Sequence, residues 1–305
     1  MIPVALVSGF LGTGKTTLLR RIIDQSRHQS LVYLVNEFSP RDVDGTMLAR
    51  DDAHVIAIPG GSIFCKCLVS EFISQLQRIA DDFGDREGLV IEASGMADPR
   101  VIVQMLAETG LERHFQLCRI LSVVSPDSFL RLRHTLPNIL AQVAAADLIL
   151  INKTDCSSME QVMETEMEIT RVNPRAEIIR TIRCACDIDL FPAFSGTREQ
   201  LGQFAECRDA RFESFETHGK SDKEALTQFI EANEASIFRV KGWVGGHEFQ
   251  YSTSGYAIGD EVSGSGEHIH DTLVWIVSEN AKPILQAQLA MALPHVIPVP
   301  EESIP

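Results

Sequence analysis

The chain has 305 residues, of which 45% are hydrophobic, and its formal net charge at pH 7 is −15. This length is enough for one large globular domain and a smaller one. The acidic balance argues against nucleic acids and anionic membranes as partners, because both are bound through clustered lysines and arginines. No apolar run approaches the ~20 residues of a membrane-spanning helix, and no N-terminal signal is evident, so we expect a cytoplasmic protein.

Short apolar runs alternate with amphipathic runs along the first 195 residues or so. This alternation is typical of an α/β domain in which helices cover both faces of a mostly parallel sheet, and we predict such a domain over residues 1–200. The predicted strands are residues 4–8, 31–36, 54–58, 89–92, 120–124, 148–151 and 177–181. The predicted helices are residues 16–23, 71–79 and 159–171.

A different pattern follows a polar break near residues 193–223. It predicts a small α+β domain with an antiparallel sheet over residues 212–295. Its predicted helices are residues 223–232 and 283–291, and its predicted strands are residues 237–241, 248–251, 256–259 and 272–277. The tail from Ala292 is expected to be loosely held.

Residues 9–16 read Gly-Phe-Leu-Gly-Thr-Gly-Lys-Thr, which matches the phosphate-binding pattern G-x-x-x-x-G-K-[ST]. A predicted strand precedes them and a predicted helix follows, which disfavours a chance glycine-rich turn. Glycines allow successive backbone N–H groups to turn towards phosphates, the lysine reaches the β- and γ-phosphates, and the last threonine ligates Mg²⁺. The predicted nucleotide-binding residues here are Gly12, Thr13, Gly14, Lys15, Thr16 and Thr17.

Two carboxylates at strand ends are candidates for magnesium and water chemistry. Glu92 can hold Mg²⁺ through water or position the attacking water, and Gly95 just beyond it permits backbone approach to the γ-phosphate. The structural alternative is that Glu92 caps a helix starting near Pro99. Glu37 and Asp44 follow the second strand, where a switch region would sense Mg²⁺ and the γ-phosphate. Of these two we favour Glu37, because it lies at the strand end, although surface acidity explains either.

The apolar strand at residues 148–151 ends in Asn-Lys-Thr-Asp, which matches the N-K-x-D base-recognition motif. The carboxylate of Asp155 can accept hydrogen bonds from the N1–H and the exocyclic amine of guanine, a donor pair that adenine lacks. We expect Asn152 to steady the pocket and the stem of Lys153 to cover the base plane. A common surface turn is the alternative. Together with the phosphate pattern, the motif predicts GTP rather than ATP.

The motifs occur in the order GFLGTGKTT, VNEF, GG-x-I-x-C, IEASGMADP and NKTD, which closely resembles the CobW-like metallochaperone GTPases. The resemblance continues at residues 142–147, 173–174, 239–242 and 272–276 and so covers nearly the whole chain. It implies a P-loop GTPase fold and GTP hydrolysis coupled to delivery of a metal ion, usually zinc or cobalt, to a client protein. The client would be a metalloprotein or another cofactor-bearing protein, and a homodimer is possible.

The metal-binding segment departs from the C-x-C-C signature of that family. Ser62 and Phe64 stand where two thiolates are expected, so Cys65 remains in register and Cys67 is additional. Tetrahedral zinc takes four ligands, and a single C-x-C supplies two at most. The site can be rebuilt with Glu37 and a histidine, or GTP switching can persist without metal carriage, or the two cysteines simply pack beside the nucleotide core.

Two weaker candidates and one rival function complete the predictions. Cys184 and Cys186 follow the last strand of the first domain, where GTPases place the loop beside the base, so packing or base contact is expected and metal binding is the alternative. His268 and His270 share one strand face and could bind a metal weakly.

A P-loop kinase acting on a small molecule is disfavoured by N-K-x-D. Because no arginine finger is recognised, we expect slow turnover that a partner or metal accelerates.

Overall fold

The computed structural model describes residues 1–37, 54–59, 69–95, 97–193, 212–245, 247–252, 255–261, 271–278 and 280–299. The chain divides into two compact units, Met1–Cys207 and Arg208–Pro305. Each unit has its own sheet and its own hydrophobic core. Among the described residues, no helix is both long enough and apolar enough to span a membrane.

The first unit is built on a seven-stranded sheet. Its strands are β1 (Ile2–Gly9), β2 (Leu31–Glu37), β3 (His54–Pro59), β4 (Gly88–Glu92), β5 (Phe115–Val124), β6 (Leu148–Ile151) and β7 (Glu177–Arg180). They lie in the order β3-β2-β4-β1-β5-β6-β7, and every neighbouring pair is parallel. Strands β4 and β6 are buried along their whole length, which explains their continuous apolar sequence. The predicted parallel sheet is confirmed.

Helices connect these strands. They are α1 (Lys15–Gln25), α2 (Val69–Asp82), α3 (Val101–Glu108), α4 (Pro126–Leu132), α5 (Pro137–Ala145) and α6 (Met159–Val172). Single 3₁₀ turns lie at Leu111–Arg113 and Thr154–Cys156. Helix α6 starts at a capping box, in which Ser158 and Gln161 each bond the other's backbone N–H. Because all strands are parallel, the carboxyl ends of β1, β2, β4 and β6 lie at one edge of the sheet, and the motif residues follow them there.

The second unit is built on a six-stranded sheet in which every pair is antiparallel. Its elements are β8 (Phe212–His218), α7 (Lys223–Ala232), β9 (Ile237–Val244), β10 (His247–Ser252), β11 (Gly255–Glu261), β12 (Thr272–Ser278), α8 (Lys282–Ala292) and β13 (Ile297–Pro298). The strand order is β11-β10-β9-β12-β8-β13. Trp275 is fully buried in its core, stacks on Phe215 at 5.6 Å between ring centroids, and donates from Nε1 to Thr217 Oγ1 at 3.0 Å.

The expectation of a loosely held tail from Ala292 is wrong as far as Val299. Leu293 and Val296 are buried in the core of the second unit. Strand β13 pairs with β8, and the Val299 N–H donates to the Glu216 carbonyl at 2.9 Å. Burial and strand pairing together hold this segment, although its prolines are unfavourable for a central strand and place it at the sheet edge.

Candidate nucleotide-binding site

The phosphate loop, residues 9–16, joins the end of β1 to the start of α1. Gly9, Gly12 and Gly14 have φ values of 137°, 75° and 116°, which side-chain-bearing residues rarely adopt. Space is limited as well, because a Cβ on Gly9 would lie 2.3 Å from the Val123 carbonyl oxygen and one on Gly14 would lie 2.5 Å from Asn152 Nδ2. The glycine spacing of the sequence motif therefore reflects both backbone angle and close packing.

Polar side chains of the phosphate loop point back onto the loop itself. Thr13 Oγ1 donates to the Phe10 carbonyl at 2.9 Å, and Lys15 Nζ donates to the same oxygen at 3.2 Å. The Lys15 side chain is only 7% exposed, so its ammonium group stays over the loop rather than in bulk water. Thr16 is half-buried and Thr17 exposed in the first turn of α1.

The side chain of Asn152, which follows β6, connects three segments. It is 2% exposed, and its Nδ2 donates to the Thr13 carbonyl in the phosphate loop at 2.9 Å. Its Oδ1 accepts from the Cys184 N–H at 2.9 Å and from Thr181 Oγ1 at 3.2 Å, both in the segment after β7. One buried amide therefore joins the phosphate loop to the base motif, residues 152–155, and to the base loop, residues 181–187.

The remaining residues of the base motif are more open. Lys153 has a left-handed backbone with φ 61°, and its burial lowers the pKa of its ammonium group, against the opposing influence of nearby Cys156 and other acidic groups. Thr154 Oγ1 donates to the Thr181 carbonyl at 3.1 Å and fixes the start of the 3₁₀ turn Thr154–Cys156. The Asp155 side chain is exposed in this turn, so its carboxylate is accessible to a ligand.

Cys184 packs inside this arrangement. Its side chain is 0% exposed and its Sγ donates to the Gly14 carbonyl at 3.5 Å. Burial raises the pKa of the thiol to about 12. The side chain of Cys184 therefore packs between the phosphate loop and the base loop, and its contact with a base stays a prediction. Cys186 is half-buried, and burial raises the pKa of its thiol as well.

Glu92 ends β4 beside Val7 of β1 and is 5% exposed. Helix α3 begins at Val101, and the N–H of the preceding Arg100 donates to Asp98 Oδ1 at 3.0 Å. The alternative role of Glu92 as a helix cap stays a prediction. The segment after Glu92 packs directly on the phosphate loop, since a Cβ on Gly95 would lie 2.8 Å from the Leu11 backbone nitrogen. Carboxylate and phosphate loop are thereby held at the same edge of the sheet.

Gln142 is not among the residues that the sequence motifs predict for the site. It lies on α5, is buried, and donates from Nε2 to the carbonyl oxygens of Gly95 and Ala97, both at 3.1 Å. These bonds fix the segment that follows Glu92. The signal in the sequence is an amide side chain between the apolar neighbours Ala141 and Val143 of a largely apolar helix.

Comparison with known proteins agrees with this geometry. A family model described as "CobW/HypB/UreG, nucleotide-binding domain" matches residues 3–180. The chain belongs to this family. The residues matched by the CobW/HypB/UreG model contain the phosphate loop, Glu92 and the base motif, so the predicted family resemblance is confirmed and the first unit is a nucleotide-binding domain.

Named relatives within the CobW/HypB/UreG family are similar over part of their length. The zinc chaperone CobW of Pseudomonas aeruginosa is 28% identical over 206 residues, which cover 57% of this chain and 55% of that protein. The zinc-regulated GTPase metalloprotein activator 1 of Schizosaccharomyces pombe is 29% identical over 193 residues, covering 59% of this chain and 46% of that protein. The chain thus spans about half the length of the curated relatives it matches.

Among solved structures, the Zn(II)-bound YjiA GTPase from Escherichia coli is 24% identical, with 95% of this chain and 98% of that chain covered and a TM-score of 0.46. The hydrogenase maturation factor HypB from Archaeoglobus fulgidus is 20% identical, with 59% and 81% covered and a TM-score of 0.43.

Several predicted site residues of this CobW/HypB/UreG member fall outside the described residues. The Glu37 backbone ends β2 opposite Pro59 of β3, but its side chain is not described. Asp44, Cys65, Cys67, His268 and His270 also lie outside the described residues. Within the described ranges, no group of three or more His, Cys, Asp or Glu side chains is arranged to hold a metal ion, so the metal alternative for Cys184 and Cys186 has no such cluster there.

Proposed function

We propose that the chain binds GTP with Mg²⁺ and hydrolyses it. The observation that carries this proposal is the 2.9 Å bond between Asn152 Nδ2 and the Thr13 carbonyl, which fixes the base motif against the phosphate loop. One nucleotide can then bind with its phosphates at the loop and its base at the motif. The exposed carboxylate of Asp155 is suited to the paired donors of guanine, whereas adenine has an acceptor at N1.

Hydrolysis in this site requires positioning and charge stabilisation rather than a covalent intermediate. Backbone N–H groups of the phosphate loop and Lys15 would stabilise the charge on the transferred phosphoryl group. The Thr16 hydroxyl and the carboxylates of Glu92 and Glu37 are hard oxygen donors, which suit Mg²⁺. That ion would neutralise charge on the β- and γ-phosphates. Glu92, buried at the sheet edge, would orient an attacking water or a magnesium-bound one.

The test compares GTP with ATP in the presence of Mg²⁺, by nucleotide affinity and by release of inorganic phosphate. We expect GTP to bind at least tenfold more tightly, about 1.4 kcal/mol, and to be hydrolysed slowly by the isolated chain. Equal affinities would contradict the assigned base motif. Binding without phosphate release would reduce the chain to a nucleotide-binding module, and transfer of phosphate to an added small molecule would favour a kinase.

We further propose that the GTP cycle serves metal delivery to a client protein. The support is the family and the names of its relatives, which are a zinc chaperone and a GTPase metalloprotein activator. The candidate cargo ligands are Cys65 and Cys67, with Zn²⁺ or Co²⁺ as cargo. A second candidate function, GTP switching without metal carriage, is favoured by Ser62 and Phe64 at positions where the family pattern has thiolates.

Metal titration separates these two functions. Zn²⁺ and Co²⁺ are titrated into the wild type and into Cys65→Ser/Cys67→Ser, each with and without a non-hydrolysable GTP analogue. Metal carriage predicts a site that the double substitution weakens by at least tenfold and that responds to the analogue. Identical affinities in both proteins would favour GTP switching alone. Phosphate release with and without metal tests whether the cargo accelerates turnover, and sedimentation tests for a homodimer.

A further inference from the structure

The base loop has an unusual backbone for its sequence. Arg183 and Cys184 are consecutive and have φ values of 51° and 54°, in the left-handed region. Residues with a Cβ adopt the left-handed conformation at a cost in free energy. Two such residues in succession keep it only where surrounding contacts stabilise it. The conformation matters for the site because it directs the Cys184 N–H at Asn152 Oδ1, 2.9 Å away.

Helix α1 holds this loop from the side opposite Asn152. Arg21 Nε donates to the Arg183 carbonyl at 2.6 Å, between residues 162 positions apart in sequence. One turn further along the same helix face, Gln25 Nε2 lies 3.3 Å from the Cys186 carbonyl and 3.3 Å from Asp187 Oδ1. The charged donor and shorter distance make the Arg21 bond the stronger of these contacts.

Helix α1 also begins at the phosphate loop, since Lys15 is its first residue. Arg21 lies six residues later, about 9 Å along the helix axis. The Arg21 charge acts on the loop interior too: burial raises the pKa of the Cys184 and Cys186 thiols, and the Arg21 guanidinium opposes that rise in both. One rigid element therefore contacts the phosphate end and the base end of the candidate site.

We propose that Arg21 is a positioning residue for base selection, which holds the Arg183–Cys184 turn left-handed and thereby keeps Asn152 and the base motif in register with the phosphate loop. This role rests on the proposed binding of GTP. Without the Arg21 bond the turn relaxes, the Cys184 N–H withdraws from Asn152, and the contacts to guanine weaken. The phosphate end, formed by glycine geometry and Lys15, is unaffected.

The test measures Kd and KM for GTP and for ATP, together with kcat, in Arg21→Met. Methionine keeps a long side chain but removes the donor. We expect the affinity for GTP to fall about five- to tenfold, the weak affinity for ATP to stay within about twofold, and kcat at saturating GTP to stay within about twofold. Arg20→Met is the matched control, because Arg20 is the exposed neighbour on the same helix, and we expect it to change none of these values.

Two further variants separate positioning from a general structural role. Arg21→Lys retains a charged donor and is expected to recover part of the GTP affinity. Arg183→Gly makes the left-handed conformation inexpensive, so introducing Arg21→Met in that background should cost less GTP affinity than in the wild type. Loss of folding alone would show none of this rescue.

The outcomes are distinct. A wild type that prefers GTP while Arg21→Met keeps the same GTP-to-ATP ratio would overturn the role of Arg21 alone. Equal loss of GTP and ATP affinity, not rescued by Arg183→Gly, would show a merely structural contact and overturn it as well. A wild type without preference for GTP would instead overturn the proposed function, and the role of Arg21 with it.

Discussion

The phosphate end and the base end of the candidate site are held in different ways. The phosphate loop takes its shape from glycines with φ values of 137°, 75° and 116° within one short segment. At the base end, Lys153, Arg183 and Cys184 adopt φ values of 61°, 51° and 54° although none is glycine. The conformation of the phosphate end is encoded by its local sequence. The conformation of the base end depends on hydrogen bonds with residues that are distant in sequence.

The largest effect on nucleotide affinity is expected from Gly14→Ala, which disrupts the phosphate loop. The new Cβ would face Asn152 Nδ2 at 2.5 Å, in a backbone conformation with φ 116° that alanine resists. We expect nucleotide affinity to fall at least a hundredfold, about 2.7 kcal/mol, for GTP and ATP alike. Isothermal titration measures this directly.

Gly110→Ala is the matched control for Gly14→Ala. Its φ is also positive, at 71°, but nothing lies within 4 Å of the Cβ that would be added. We expect a loss of stability of about 1 kcal/mol and unchanged nucleotide affinity. If Gly14→Ala binds nucleotide as Gly110→Ala does, the close packing of phosphate loop and base motif does not matter for binding.

The base end is broken selectively by Asp155→Asn. Asparagine can accept one hydrogen bond but presents its amide donors to the exocyclic amine of guanine, so we expect GTP affinity to fall about thirtyfold to a hundredfold. Xanthine carries a carbonyl in place of that amine, so XTP should gain affinity by a similar factor. Competition between the two nucleotides measures the switch. Glu160→Gln, an exposed acid nearby, is the control, and equal effects of both substitutions would point to general electrostatics.

The sequence predicts the parts of the site that depend on local residues and misses the contacts between residues that are distant in sequence. The phosphate loop is predicted because its sequence motif spans eight consecutive residues that begin at Gly9. The base motif is predicted because it directly follows an apolar strand. The contacts of Arg21 with Arg183 and of Gln142 with Gly95 are not predicted, since they join residues 162 and 47 positions apart and depend on how the helices pack.

The fold shows the same division between local and distant information. Strand β6 is predicted with its observed bounds, because a fully buried strand has a continuous apolar sequence. Strand β8 is not predicted, since Phe212 and Phe215 lie three positions apart and do not follow the two-residue period of a half-buried strand. Its place is set by pairing with β12 and β13. Helices α4 and α5 span only seven and nine residues, which is too few turns to show a clear 3.6-residue period.

A smaller effect is expected from Gln142→Leu, which removes the support of the segment after Glu92. The carbonyl oxygens of Gly95 and Ala97 lose their buried donor, so we expect the free energy of unfolding to fall by about 1–3 kcal/mol. Because Glu92 and Gly95 are proposed to act at the γ-phosphate, kcat should fall several-fold while KM changes little. Denaturant titration and steady-state kinetics measure the two effects. Gln104→Leu, which removes an amide on α3, is the control. An equal loss of kcat in the two variants would contradict a specific role of Gln142.

The smallest effect concerns Cys184, whose packing role predicts chemical inertness. With a pKa of about 12, about one thiol in ten thousand is ionised at pH 8, so iodoacetamide should modify Cys184 far more slowly than the exposed Cys156. Unfolded cysteine titrates near 9, so the buried thiol stabilises the fold below that pH, and this contribution is lost as pH rises towards 12. Mass spectrometry of labelled peptides gives both rates, with Cys184→Ala as the reference for the pH dependence of unfolding. Equal labelling of Cys184 and Cys156 in the folded protein would show that the base loop opens readily. The long-range hydrogen bonds would then hold the base loop less firmly than the glycines hold the phosphate loop.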